Sequence, residues 1–288
     1  MPSVLDQMAE YFKEKLIIAI MSALTGMFDS VNTEVGNIAS NVAMTPSAFS
    51  PSVFNLIRNI SQNVILPIAG MILTFVACYE LIQLVISYNN LANFETWFIF
   101  KWILKTTVAV ELITHVFDFT MAVFDVTQHV VSSAGGIIGA STAIDASALS
   151  GMQPVLEAMD IMELIGLFFQ ISIVTVVTKI LSALIFVIIH VRLIEIYLYV
   201  SMAPIPFATF GNKEQGTMGM HFVKSLFALG FQGFLIMICV AIYAALIQTV
   251  AFSSDIVGSL WGVLGYTLLL AFSLFKTNAV SKAILQCV

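Results

Sequence analysis

One stretch decides the fold class: Leu164–Ile189, which reads LIGLFFQISIVTVVTKILSALIFVII and carries Lys179 as its only charge. A helix needs about 20 predominantly apolar residues to cross the hydrocarbon core of a bilayer. This stretch exceeds that length. Because a charged side chain is unfavourable in hydrocarbon, the side chain of Lys179 is expected to avoid lipid. It therefore predicts a transmembrane helix.

Four further stretches have the same character, and the five predicted spans are residues 64–88, 102–126, 164–189, 225–250 and 257–275. The whole chain of 288 residues is 59% hydrophobic and 10% charged. A soluble domain is nearer 25% charged, and could not cover so much apolar surface with so few ionisable groups. We therefore expect an all-α integral membrane protein with a transmembrane domain over residues 63–275.

The first 62 residues are expected to be an external region of amphipathic or interfacial helices. The apolar run Leu16–Phe28 has 13 residues, which suits an interfacial or re-entrant segment and makes a sixth span only if it crosses. Residues 29–44 place Val31, Val35, Ile38 and Val42 at helical spacing with polar residues between them, which predicts an amphipathic helix.

The basic residues predict the orientation. With the C-terminal tail 276–288 inside, seven of the eleven Lys and Arg residues lie at the cytoplasmic side, and three lie outside. The N-terminus is then outside, residues 127–163 form an external loop, and residues 193–224 are a kinked cytoplasmic-side segment around Pro204 and Pro206. If Leu16–Phe28 crosses the membrane, Lys13 and Lys15 move to the cytoplasmic side, and the predicted orientation of the other segments is unchanged.

The second span carries an ionisable stripe. On a straight helix Glu111, His115, Asp118 and Asp125 fall on one face, and Lys101 and Lys105 extend it toward the cytoplasm. Charged groups at mid-membrane rarely face lipid, so this face meets protein or water. Three readings stay open: a buried ion pair with Lys179, a hydrated lumen, and a proton relay.

Glycines on the last two spans predict close helix packing, either within the chain or between copies: Gly230, Gly233, Gly258, Gly262 and Gly265. Catalytic motifs, paired cysteines and metal-ligand spacings are missing from the sequence. An enzyme, a cofactor and a metal site are therefore not expected.

One segment resembles a known family. Arg192, then Ser201-Met-Ala-Pro-Ile-Pro-Phe-Ala-Thr-Phe-Gly211, a short turn, and His221-Phe-Val-Lys-Ser-Leu-Phe-Ala-Leu are similar to the TrbL/VirB-type membrane subunit of type IV secretion systems. The likeness is clearest over residues 164–275, and the compact loops are most similar to versions from Gram-positive conjugative elements. The motif positions are Arg192, Glu195, Ala203, Pro204, Pro206, Phe207 and Phe210.

The resemblance implies a channel or scaffold subunit in the cytoplasmic membrane that helps to move a DNA–protein substrate. Its implied partners are the secretion ATPases, other membrane subunits and further copies of itself, in a ring of about four to six. Two alternatives remain at this point: a proton- or ion-coupled small-molecule transporter, and a membrane scaffold without a pore.

Overall fold

The computed structural model describes residues 4–87, 96–139, 151–210, 212, 216–250 and 255–287. The regular elements in this part of the chain are all helices. They are α1 (Val4–Val42), α2 (Pro46–Phe49), α3 (Pro51–Ile60), α4 (Leu66–Ser87), α5 (Thr96–Thr114), α6 (Val116–Gly139), α7 (Gln153–Ala158), α8 (Ile161–Met202), α9 (Pro204–Ala208), α10 (Gly216–Thr249) and α11 (Ile256–Ile284). A π-helical turn, Ser61–Ile65, joins α3 to α4.

The N-terminal region differs from the expectation of two separate segments, because α1 runs unbroken for 39 residues. Its buried side chains stay on one face from Ile20 to Val42, so the apolar stripe continues through the polar residues that suggested a boundary. Ser30 donates its hydroxyl hydrogen to the carbonyl of Gly26 at 2.7 Å within the same helix, and α1 continues unbroken there. The helix is long and apolar enough to cross a membrane.

The predicted second span is wrong as a single straight helix. Residues 102–126 fall across α5 and α6. The two helices together are long and apolar enough to cross a membrane, but they meet at a bend of 66°. In addition to this bent pair, five helical stretches are long and apolar enough to cross: 4–42, 51–86, 161–208, 216–249 and 256–284.

Several predicted connections are helical instead. Helix α6 extends to Gly139, so part of the expected loop 127–163 is ordered, and α11 extends to Ile284 into the expected tail. The helix of the predicted span 164–189 continues to Met202, because α8 has 42 residues, and the first part of the segment 193–224 is therefore helical as well. The Gly/Ala/Ser-rich stretch 140–150 and the turn residues 211 and 213–215 lie outside the described residues.

The helices form two compact units. The first comprises residues 1–43, 131–189 and 235–277. Its core takes buried apolar residues from α1, α8, α10 and α11, among them Leu24, Ile171, Val240 and Val263.

The second unit comprises residues 44–130, 190–234 and 278–288. One apolar cluster joins α6 to α8 and α10, through Phe117, Phe124, Leu193 and Leu226. Another joins α4 and α5 to the short helix α9, through Leu73, Ile113 and Phe207.

Candidate functional site

The bend between α5 and α6 lies at His115, and neither proline nor glycine causes it. The carbonyl oxygen of Glu111 accepts the His115 backbone N–H at 3.3 Å, which is longer than the 3.0 Å at which the His115 carbonyl accepts from Phe119. The Thr114 hydroxyl shares its hydrogen between this oxygen and the carbonyl oxygen of Val110, both at 3.0 Å, and Nδ1 of His115 lies 3.1 Å from the Glu111 oxygen. Side chains that enter the backbone hydrogen-bond ladder are a known cause of sharp kinks.

An exposed row of ionisable side chains follows both sides of the bend. We call it the polar ribbon and define it as Glu111, His115, Asp118, Asp125 and His129. The side chains of Glu111, His115 and Asp118 are 71%, 70% and 61% exposed, and Asp125 and His129 are exposed as well. The opposite face of α6 packs into the core of the second unit, so the ribbon is the face that this unit leaves open.

His129 was missed by the sequence analysis, although the signal was present. It follows Asp125 by four residues and therefore continues the same helical face. The predicted span ended at residue 126, and a helix that stops there leaves His129 in a loop.

The ribbon is partly paired. Nη2 of Arg58 lies 3.5 Å from Oδ1 of Asp118, and Nδ1 of His115 lies 3.6 Å from Oε2 of Glu111. Asp125 forms no hydrogen bond or ion pair among the described residues. The ribbon therefore presents a net acidic surface.

The lysines do not extend the ribbon as predicted. Lys105 forms an ion pair with Glu80 of α4, and the neighbouring Trp102 indole donates to the carbonyl of Ala77 at 3.1 Å. These contacts turn Lys105 toward α4, while Lys101 lies beside the ring of Trp97.

Lys179 belongs to the first unit, and its side chain is exposed. Glu111 and His115 belong to the second unit and are about 70% exposed, and the buried ion pair with Lys179 stays a prediction. A lumen or a seam with a neighbouring subunit stays a prediction for this face.

Residues 203–210, which carry the motif positions from Ala203 to Phe210 and which we call the motif segment, pack directly against the bend. Ala203, Pro204, Phe207 and Ala208 are buried, and Phe207 lies in one cluster with Ile113 and Val116, which flank His115. The Phe207 ring also makes edge contacts with the rings of Phe119 at 5.8 Å and Phe210 at 5.2 Å. Pro206 is half-buried, and its carbonyl accepts the Thr209 hydroxyl at 2.8 Å.

Arg192 is buried, with 3% of its surface exposed. Its Nε donates to the carbonyl of Leu229 and its Nη2 to that of Gly230, both at 3.3 Å. The described part of the chain offers it no carboxylate within ion-pair distance. Helix carbonyls of α10 therefore compensate a charge that is expensive to bury.

Glu195 holds the C-terminal part of α11. Its carboxylate accepts a hydrogen bond from Asn278 at 3.0 Å and from Lys282 at 3.2 Å. The motif residue thus serves as an attachment point within the second unit.

The glycines behave in two ways. A Cβ on Gly230 would lie 2.7 Å from Thr127, and a Cβ on Gly233 would lie 2.6 Å from Arg192, so both positions need glycine for close approach. A Cβ on Gly262 would make ordinary contact with Val250 at 3.7 Å, and one on Gly265 would meet open space. Gly258 donates its N–H to the capping carboxylate of Asp255 at 2.8 Å.

Groups of three or more His, Cys, Asp or Glu that could hold a metal ion do not occur among the described residues. The candidate site is the exposed surface of the polar ribbon, against which the buried motif segment packs from the inner side.

Comparisons with known proteins give one result. Residues 31–204, more than half of the chain, match a family model described as TrbL/VirB6 plasmid conjugal transfer like protein. The match includes α5, α6 and α8 and ends at Pro204, so it begins earlier than the region where the resemblance is clearest. Neither a curated protein nor a solved structure matches the chain.

Proposed function

Because the chain belongs to the family of TrbL/VirB6 plasmid conjugal transfer like proteins, we propose that it forms part of the channel wall of a conjugative type IV secretion system. The family and the apolar helices identify a multi-pass membrane subunit of a conjugal transfer system. This family consists of structural membrane subunits and is not an enzyme family. The channel role and the movement of a DNA–protein substrate are the proposal.

The polar ribbon is the observation that carries the proposal. It lies on a helix pair that is apolar enough to cross the membrane, yet three of its side chains are more than 60% exposed. An ionisable group at the centre of the hydrocarbon core costs at least about 2.5–3.5 kcal/mol on insertion scales, which disfavours lipid contact along the ribbon and supports the proposal. Water in a shared lumen is the surrounding that leaves these groups hydrated.

A ring of about four to six copies would bring the ribbons of neighbouring subunits around one axis. Carboxylates on such a wall repel the phosphates of nucleic acid, whereas basic walls bind them by releasing counterions. An acidic lumen would therefore guide a DNA–protein substrate without retaining it.

The motif segment has a supporting role in this proposal. Phe207 packs on the residues that flank His115, so α9 holds the bend that orients the ribbon. Segments 204–224 and 276–288 would dock the secretion ATPases at the cytoplasmic side. The N-terminus is outside if α1 lies on the membrane surface, and a crossing α1 places Lys13 and Lys15 inside.

Neutralising the ribbon tests the proposal. We expect the combined variant Glu111→Gln, Asp118→Asn and Asp125→Asn to insert and assemble normally but to reduce conjugative transfer by at least tenfold. The matched control is Asp29→Asn, Glu157→Gln and Glu163→Gln, which removes three exposed carboxylates outside the ribbon. Normal transfer by the ribbon variant would favour the scaffold, and coupled uptake of a small solute by the purified protein would favour the transporter.

A further inference from the structure

The first two turns of α5 carry an exposed group of aromatic rings with one lysine beside them. Trp97 and Phe100 are 54% and 52% exposed, and their rings stack with the centroids 5.4 Å apart. Nζ of Lys101 lies 5.4 Å from the ring centroid of Trp97 and 5.8 Å from that of Phe98. We call Trp97, Phe98, Phe100 and Lys101 the aromatic–lysine cluster.

The outer face of α5 continues from this cluster as an apolar surface. Leu104 and Val108 follow Lys101 at helical spacing, and their side chains are 55% and 59% exposed. Trp102 and Lys105 lie on the other side of the helix and bond to residues of α4, so the outer face is turned away from α4. Because α5 and α6 together are apolar enough to cross a membrane, we expect acyl chains to cover this face.

Two hydrogen-bond donors of the cluster have no acceptor among the described residues. They are the indole N–H of Trp97 and the ammonium group of Lys101. The neighbouring residues of the same types are both paired, because Trp102 donates to a carbonyl at 3.1 Å and Lys105 forms an ion pair with Glu80. An indole N–H and an ammonium group one turn apart suit an acceptor with negative charge, such as a phosphate.

The aromatic rings discriminate between lipid headgroups. The faces of the Trp97 and Phe98 rings are where a choline or ammonium group would bind, and the ammonium of Lys101 already occupies that position. A zwitterionic headgroup would bring a second cation beside Lys101, and the two like charges would repel. A negative headgroup without a cation, such as phosphatidylglycerol, avoids this repulsion.

We propose that the aromatic–lysine cluster binds the phosphate of one anionic phospholipid, with an acyl chain along Leu104 and Val108. Tryptophan and lysine are residue types that contact headgroups at membrane interfaces, and lysine attracts anionic lipids. The site uses none of the ribbon residues. It goes beyond the proposed channel and can be tested without it.

Fluorescence quenching by brominated lipids tests the site. The full-length protein keeps Trp97 as its only tryptophan, through Trp102→Phe and Trp261→Phe, in phosphatidylcholine nanodiscs with a small share of brominated lipid. Brominated phosphatidylglycerol should associate at Trp97 about fivefold more strongly than brominated phosphatidylcholine, which is the attraction that one lysine provides. Lys101→Met should remove this preference, and Lys101→Arg should retain it.

Two matched controls use α11. A protein with Trp261 as its only tryptophan should show no preference between the two lipids, although Trp261 is 51% exposed. Lys276→Met, which removes an exposed lysine, should leave the preference at Trp97 unchanged. Equal quenching of Trp97 by the two lipids, or a preference that persists in Lys101→Met, overturns the proposal.

Native mass spectrometry gives a second measurement on the chain with all three tryptophans. When phosphatidylglycerol and phosphatidylcholine are supplied in equal amounts, the unaltered protein should retain one more phosphatidylglycerol than Lys101→Met does. Lys276→Met should retain as many as the unaltered protein. Identical lipid retention by the unaltered protein and Lys101→Met would contradict a site at the cluster.

Discussion

The guanidinium of Arg192 occupies the space that a side chain at position 233 would need. A Cβ on Gly233 would lie 2.6 Å from Nη2 of Arg192, closer than real Cβ contacts occur. The arginine is buried and bonded to helix carbonyls, so it cannot swing into water. This contact fixes how closely α8 and α10 approach.

Gly233→Ala should therefore destabilise the protein by about 1–3 kcal/mol, the usual cost of overpacking a core. The measurement is the unfolding midpoint in detergent or nanodiscs. Gly166→Ala is the matched control, because a Cβ there meets nothing within 4 Å and removes the flexibility of a helical glycine. A loss of equal size in both variants would contradict the close approach at Arg192.

Phe207→Ala should cost about 3–5 kcal/mol, as truncation of a buried aromatic side chain does. Because Phe207 packs against the residues that flank His115, the variant should also change the chemical labelling of a cysteine at position 115. Phe272→Ala, whose ring is largely exposed, should change neither quantity. Lower stability with unchanged labelling at position 115 would contradict a role of Phe207 in holding the bend.

The bend should depend on the side chains that compete for the Glu111 carbonyl. In the variant Thr114→Val with His115→Leu, we expect the helix to straighten. Spin labels at positions 104 and 126 should then move apart by up to roughly 5 Å, given a rise of 1.5 Å per residue. Thr107→Val is the control, since Thr107 donates to a helix carbonyl in a stretch without a bend. An unchanged distance distribution would assign the bend to packing alone.

Glu195→Gln should loosen the C-terminal part of α11. A hydrogen bond to a charged group contributes about 1.5–3 kcal/mol, and Glu195 makes two such bonds, with Asn278 and Lys282. We expect faster hydrogen exchange over residues 278–287, measured by mass spectrometry. Lys276→Met, which removes an exposed lysine from the same helix, should leave the exchange rate unchanged.

The length of the apolar stretches predicted most of the helices. A stretch such as 164–189 is long enough to cross a bilayer and too apolar to be exposed to water. The bend at His115 was not predictable in the same way. We attribute it to the Thr114 and His115 side chains that contact the Glu111 carbonyl, and residues of both types also occur in straight helices. The Lys105–Glu80 pair joins residues 25 positions apart, which a reading along one helix could not connect. The boundary after Phe28 was wrong because the polar residues there share the outer face of a continuous helix.

The most direct test of the channel proposal is chemical access to the ribbon in the assembled system. Single cysteines at positions 111, 118 and 125 would be introduced into a variant that lacks Cys78, Cys239 and Cys287, with cysteines at 108 and 126 as apolar neighbours on the same helices. A charged, membrane-impermeant thiol reagent should label the three ribbon positions at least tenfold faster than the two neighbours. Equally slow labelling at all five positions would contradict a water-filled lumen along the ribbon.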